Sequence, residues 1–71
     1  MKIAIRIYDT IESRYVENDG ELLMQAAGMD QRFGFNSIAV QSNGTMIICD
    51  NNGNFGLLDS TRFNTTMMLA V

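Results

Sequence analysis

Apolar residues recur at every second position in the first segment of this 71-residue chain, from Lys2 to Asp9. Ile3, Ile5 and Ile7 share one side, and charged, small or amphipathic residues lie between them. A period of two is typical of a strand with one buried face. Residues 9–13 form a predicted polar turn, after which residues 14–17 are predicted to return as a second short strand.

The pattern changes after residue 20, where seven consecutive residues, 21–27, are nearly all strong helix formers and include none that is β-branched. Asn18 followed three residues later by Glu21 is a variant of the capping box at a helix start. Gly28 is suited to the position just after a helix end. A two-turn helix is therefore predicted over about residues 19–28, with Asn18 as its N-cap.

Asp19-Gly20 leaves an alternative open, because this dipeptide is also typical of a β-hairpin turn. A hairpin here would make the domain an all-β meander. If the pair opens a helix instead, Gly20 keeps a negative φ. A side chain introduced at Gly20 is then predicted to matter less than one at Gly44 or Gly53.

The C-terminal half alternates strand-like runs with turn signals. Asn43-Gly44 and Asn52-Gly53 are predicted to be two-residue type I′ hairpin turns, whose glycines have positive φ. The strands around them are predicted at residues 35–41, 46–49, 55–58 and 65–71.

Two of these strands have informative faces. In the strand at 35–41, the pattern places Ile38 and Val40 on one side, and Phe35, Ser37 and Ala39 on the other. Residues 46–49 are apolar on both sides, which predicts a central strand. Cys49, at the end of that run, is therefore predicted to be buried and chemically quiet.

These elements predict one small α+β domain over residues 1–71. Its sheet would be antiparallel, with about five strands and one short helix packed on one face, in the order β-β-α-β-β-β. A chain of this size buries little core and often relies on a disulfide, a metal or a partner subunit. With one cysteine and no histidine, the chain can form neither an internal disulfide nor a structural zinc site.

Charge is unevenly distributed: ten of the thirteen charged residues lie in residues 1–32. The remaining three are Asp50, Asp59 and Arg62. Two interpretations remain open. Either Asn, Ser and Thr cover the outer side of a core sheet, or one face or edge of that sheet is covered by another protein.

The second interpretation predicts a homodimer or a complex with a larger protein. Met67 and Met68 are adjacent in the last predicted strand, so their side chains must point to opposite faces. One of them would face away from the core. The candidate interface residues are Met67, Met68, Leu69, Val71, Phe55 and Phe63.

Catalytic templates fail for lack of residues. Without histidine there is no Ser-His-Asp or Cys-His arrangement, and no phosphate-binding glycine loop is present. The run Asp50 to Asn54 resembles a calcium loop only superficially, because Phe55 and Thr61 occupy the positions that require Gly and Glu. The carboxylates that flank the first turn and precede the helix are predicted to be solvated: Asp9, Glu12, Glu17, Asp19 and Glu21. We expect no enzymatic activity, no cofactor and no metal.

The expected function is that of a cytoplasmic protein-interaction module. Short, acidic, histidine-free chains without motifs are often accessory or inhibitory proteins of phages and mobile elements, such as anti-CRISPR or anti-restriction proteins. The net charge of −3 argues against nucleic acid or a membrane as the partner. The alternative is a nucleic-acid or ligand-binding module that stacks bases on Phe33, Phe35 or Phe55, assisted by Arg32 or Arg62.

Overall fold

The computed structural model describes the backbone of residues 2–70 and the side chains of residues 5–66. Within this part of the chain there are six strands: β1 (Lys2–Asp9), β2 (Arg14–Tyr15), β3 (Phe35–Val40), β4 (Met46–Asp50), β5 (Phe55–Leu57) and β6 (Phe63–Ala70). One helix, α1 (Gly20–Ala26), follows β2. A single 3₁₀ turn, Gln31–Phe33, precedes β3.

The strands form two three-stranded antiparallel sheets, which we call the first sheet (β2-β1-β6) and the second sheet (β3-β4-β5). The α+β class is confirmed, and the all-β alternative is wrong because Gly20–Ala26 is helical. The predicted single sheet of about five strands is divided in two. The reason is that β6 pairs with β1 along its full length, from Lys2↔Ala70 to Asp9↔Phe63, instead of extending the β3-β4-β5 meander.

One apolar core is shared by both sheets and the helix. The first sheet contributes Ile7 and Phe63, the second contributes Met46 and Ile48, and α1 contributes Leu23 and Met24, with Val16 and Leu58 completing the buried set. The predicted central strand is confirmed, since β4 lies between β3 and β5 and its alternate residues are buried.

α1 is shorter than the helix predicted over about residues 19–28, and its N-cap differs from the prediction. Asp19, not Asn18, is the N-cap: its carboxylate accepts a hydrogen bond from the Leu22 N–H at 3.1 Å. At the other end, Gly28 adopts φ +71°. The N–H groups of Gly28 and Met29 then reach back to the carbonyls of Gln25 and Met24 at 3.0 and 2.9 Å. This is a Schellman motif, so Gly28 ends the helix as predicted.

The predicted face of Phe35 is wrong, because a β-bulge places this residue on the opposite side of β3. The pairing of β3 with β4 shifts between Phe35↔Asp50 and Ser37↔Cys49, so β3 carries one extra residue there. The extra residue moves Phe35 to the side of Ile38 and Val40, where all three pack on the core. The ring lies against the start of α1, and a Cβ on Gly20 would come within 2.6 Å of the Cβ of Phe35.

The two Asn-Gly turns are three-residue loops, not two-residue type I′ turns. In the first, the Gly44 N–H donates to the Gln41 carbonyl and Gln41 pairs with Thr45. The same pattern recurs between Asp50 and Asn54 around Gly53. A type I turn followed by one left-handed residue needs positive φ only at the glycine. Gly44 and Gly53 meet this need with φ of +88° and +80°.

Candidate functional site

The second sheet has one face that α1 does not cover, and we call it the outer face. Directly opposed residues of antiparallel strands point to the same side of a sheet. The register therefore groups the outer-face residues into two cross-strand rows: Ala39, Ile47 and Leu57 in one, and Ser37, Cys49 and Phe55 in the other.

Five of these six residues are apolar and none is charged. Phe55 is 71% exposed and Leu57 is 63% exposed, both on the edge strand β5. Ile47 and Cys49, in the middle of the face, are half-buried by their neighbours. The predicted burial of Cys49 is therefore wrong. A central strand buries only the side that meets the core, and Cys49 points to the other side.

Gly56 fixes β5 in this orientation. It lies between Phe55 and Leu57 and points toward the core, where a Cβ would come within 2.7 Å of the Cγ of Met29 and 2.9 Å of the Cβ of Ala27. The segment that ends α1 thus lies directly on the β5 backbone. Because residues alternate along a strand, close packing at Gly56 requires both neighbours to face outward.

The predicted interface residues have different outcomes. Phe55 is exposed as an interface residue must be, whereas Phe63 is 2% exposed and belongs to the core. The prediction for Phe63 is wrong because β6 begins at residue 63, two positions before the predicted start, with this residue directed inward. Met67, Met68 and Leu69 lie in β6, but their side chains are outside the described residues, as is Val71.

The sequence named only Phe55 on the outer face. The sequence did contain evidence that Ile47 and Cys49 lie on an apolar face, because residues 46–49 of β4 are apolar on both sides of the strand. In a sheet with helical cover on one side only, such a strand must leave one apolar side outside. Sequence alone did not tell which sides the helix covers.

An ion pair between Asp9 and Arg62 connects the end of β1 to the segment just before β6, although the two residues are 53 positions apart in the sequence. Arg62 donates from Nε to Oδ1 of Asp9 at 2.9 Å and from Nη2 to Oδ2 at 2.7 Å. Asp9 is fully buried, which contradicts the predicted solvated turn carboxylate. The hydrogen bonds from Arg62, assisted by the N–H groups of Ile11 and Glu12, outweigh burial and lower the pKa of Asp9 from 3.8 to about 2.

Arg62 also borders a cleft of about 350 Å³ between the turn at Thr10 and the segment before β6. The polar groups of this cleft already bind one another. Arg62 is occupied by Asp9, and the Asp59 carboxylate accepts hydrogen bonds from the N–H and the hydroxyl of Thr61 at 2.9 and 2.7 Å. The charged groups of the cleft are therefore bound by other residues of the same chain, Arg62 by the buried Asp9 and the exposed Asp59 by Thr61.

Both arginines proposed as nucleic-acid contacts lie close to a carboxylate, Arg62 in a buried pair and Arg32 in an exposed one. Arg32 lies 2.7 Å from Asp30, and Arg62 lies 2.7 Å from Asp9. The other two arginines pair with Glu17 and Asp19. Of the proposed stacking residues, Phe35 is half-buried against the core. The ring of Phe33 is occupied by Arg32, whose guanidinium lies 5.3 Å from its centroid.

Asp50, at the end of β4, organises the second hairpin loop. Its buried carboxylate accepts hydrogen bonds from the N–H groups of Asn52 and Asn54 and from the Asn54 side chain, at 2.8 to 2.9 Å. Burial opposes its ionisation, but these bonds outweigh burial and hold the pKa of Asp50 below its ordinary value. The hairpin interpretation of residues 50–54 is confirmed. Among the described residues, no group of three or more acidic or cysteine side chains is arranged to hold a metal ion.

Comparisons with protein-family models, with curated proteins and with solved structures give no match for this chain. Among the described residues, no helix has the length and apolar character needed to cross a membrane.

Proposed function

We propose that this protein is a binding module that recognises a larger protein through the outer face of the second sheet. The observation that carries the proposal is the exposure of Phe55 and Leu57 beside the half-buried Ile47 and Cys49, with no charged residue among them. Contiguous apolar surface of this kind is typical of interaction sites, and exposed aromatic residues are enriched at the centres of interfaces.

The charges of the protein support a protein partner over nucleic acid. The net charge is −3, and each of the four arginines already contacts a carboxylate. Binding to a phosphate backbone requires basic groups that are available to neutralise it. An apolar patch on an acidic protein instead favours a partner with an apolar site surrounded by basic residues.

The biological role we propose is accessory or inhibitory, of the type found in small phage and mobile-element proteins. The module would act by covering a surface of the larger protein. This part of the proposal is supported by composition, and its test is the identity of the partner.

The outer face is tested by affinity capture from a bacterial lysate with mass spectrometry, comparing wild type with Phe55→Ser. The matched control is Ile11→Ser, which removes an apolar side chain that is 69% exposed on the turn after β1. Phe55→Ser is expected to reduce recovery of the specific partner by about tenfold or more, as for an aromatic anchor of an interface. Ile11→Ser should capture it like wild type.

Neither substitution should change the melting temperature much, because exposed sites usually alter stability by less than about 0.5 kcal/mol. If wild type and Phe55→Ser recover equal amounts of the partner, the outer face is not the binding surface. Recovery of nucleic acid that falls steeply with added salt would favour the alternative function.

A further inference from the structure

Three of the four sheet edges in the described chain are short or interrupted. β2 has only two residues and β5 only three, and β3 is broken by its bulge near Phe35. Short edge strands and bulges are devices that prevent a sheet from pairing with another chain.

The edge of β1 next to β2 is also closed. The Ile7 N–H, which has no strand partner there, donates instead to the Glu17 carboxylate at 2.9 Å. Arg6 lies 3.4 Å from the same carboxylate and adds a second charge beside the strand. Charged side chains at an edge strand disfavour the addition of a further strand.

β6 carries none of these devices. It has eight residues, pairs with β1 in unbroken register, and contains no charged residue and no proline. It is the last strand on its side of the first sheet, and no described strand pairs with its other edge. Asn64 and Thr66, at the start of this strand, are exposed.

The free hydrogen-bonding groups of β6 can be assigned from its partner strand. Ile7 directs both backbone groups toward β2, because its N–H donates to Glu17 and its carbonyl accepts from the Val16 N–H at 2.8 Å. Thr65, opposite Ile7, must then direct its own N–H and C=O away from β1. The groups of Met67 and Leu69 alternate in phase with Thr65, so three residues form a ladder on the free edge.

We infer that the β6 edge pairs with the β6 edge of a second copy of this chain, giving a continuous six-stranded sheet across a two-fold axis. Such an axis places a strand antiparallel to its own copy, so any charged residue would face a like charge nearby. β6 is free of charge over its whole length. A dimer would also supply the additional stabilisation that so small a domain needs without a disulfide.

This inference does not depend on the outer face, and the two surfaces can be tested separately. The mass in solution is measured by light scattering and sedimentation across a dilution series. Wild type is expected to have twice the 7.9 kDa chain mass at high concentration and to dissociate on dilution. Its melting temperature should rise with concentration.

Thr65→Pro removes the outward N–H without removing a hydrogen bond to β1, and proline is accepted at such an edge position. This variant is expected to be a folded monomer. If circular dichroism shows that it does not fold, Thr66→Lys is the deciding variant, because it places one positive charge on each copy near the middle of β6. Thr66→Lys should weaken the dimer by about tenfold at low salt.

Ser37→Lys is the matched control, since it adds the same charge to an exposed position of the second sheet. It should leave the dimer unchanged. A wild-type protein that stays monomeric at every concentration would overturn the inference. So would a dimer that survives in folded Thr65→Pro, or one that Ser37→Lys or Phe55→Ser dissociates while Thr66→Lys does not.

Discussion

The Asp9–Arg62 pair allows the most quantitative test of this fold, through the substitution Asp9→Asn. Asparagine keeps the shape of the side chain and can still accept from the Ile11 N–H, which lies 2.9 Å from Oδ1. It cannot accept both bonds from the Arg62 guanidinium as an anion does. The substitution therefore removes one charge from a fully buried site and leaves Arg62, whose side chain is 26% exposed, without its partner.

Two estimates of the cost agree. Removing one partner of a buried ion pair typically costs about 3–5 kcal/mol, and the partial exposure of Arg62 places this pair at or below the lower end. Independently, the lowering of the Asp9 pKa from 3.8 to about 2 corresponds to about 2 kcal/mol of preference for the ionised form. We expect Asp9→Asn to reduce the free energy of unfolding by about 2–3 kcal/mol, a large share of the ~5 kcal/mol available to a small domain.

The pKa also sets the direction of the pH dependence. A carboxyl with a lower pKa in the folded state stabilises that state fully above its unfolded pKa. The contribution of Asp9 is therefore complete above about pH 4 and is lost as the pH falls toward its folded value of about 2. Other carboxylates with lowered pKa, such as Glu17 and Asp19, add to the acid sensitivity of both proteins. The difference between wild type and Asp9→Asn isolates the contribution of Asp9.

Urea denaturation followed by circular dichroism measures this difference at neutral pH and near pH 2. Asp59→Asn is the control, because it removes the same charge from an exposed carboxylate that only binds Thr61. It should cost less than about 1 kcal/mol. A gap between wild type and Asp9→Asn below about 0.5 kcal/mol at neutral pH would refute the proposed stabilisation. A gap that does not shrink in acid would refute its electrostatic origin.

Two further predictions concern packing. Gly20→Ala should lower the free energy of unfolding by about 1–3 kcal/mol, as overpacking does, because the new Cβ meets Phe35. Gly44→Ala should cost only about 1 kcal/mol, because its Cβ meets no atom and only the positive φ opposes it. The reverse order in urea denaturation would contradict the contact between α1 and β3. The Cys49 thiol, half-buried on the outer face, should react with a thiol reagent in the native protein within a few-fold of its rate in urea. Protection by orders of magnitude would mean that this face is covered.

Gly20 shows why local sequence rules gave only part of the fold. The helix formers at residues 21–27 were sufficient to predict α1, although Asp19-Gly20 left a hairpin open as the alternative. From its negative φ, Gly20 was expected to tolerate a side chain better than Gly44. That expectation neglected Phe35, which reaches the helix start only because a bulge reverses its face. A bulge adds one residue to a strand without a sequence signal of its own, so the alternation pattern could not reveal it.

The candidate site was also only partly predictable, because it depends on contacts between residues far apart in the sequence. The shortage of charge after residue 32 left two interpretations open, and Phe55, which was proposed as an interface residue, is exposed. The error at Phe63 followed from strand pairing over long sequence separation, where β6 joins β1 and directs this ring into the core. The pairing of Asp9 with Arg62 was not predictable either, because it depends on that same contact between the two ends of the chain.

The uneven distribution of charge acquires a physical explanation from these contacts. Asp9, Glu17, Asp19 and Asp50 each bind backbone N–H groups at a turn, a strand edge or a helix start. Charges are thus used where backbone groups need partners, and most such places lie in the first half of the chain. If the second sheet were only a core element, its outer face would be expected to carry Asn, Ser and Thr, yet five of its six residues are apolar. Of the two interpretations of the charge-poor half, this composition favours a surface that another protein covers.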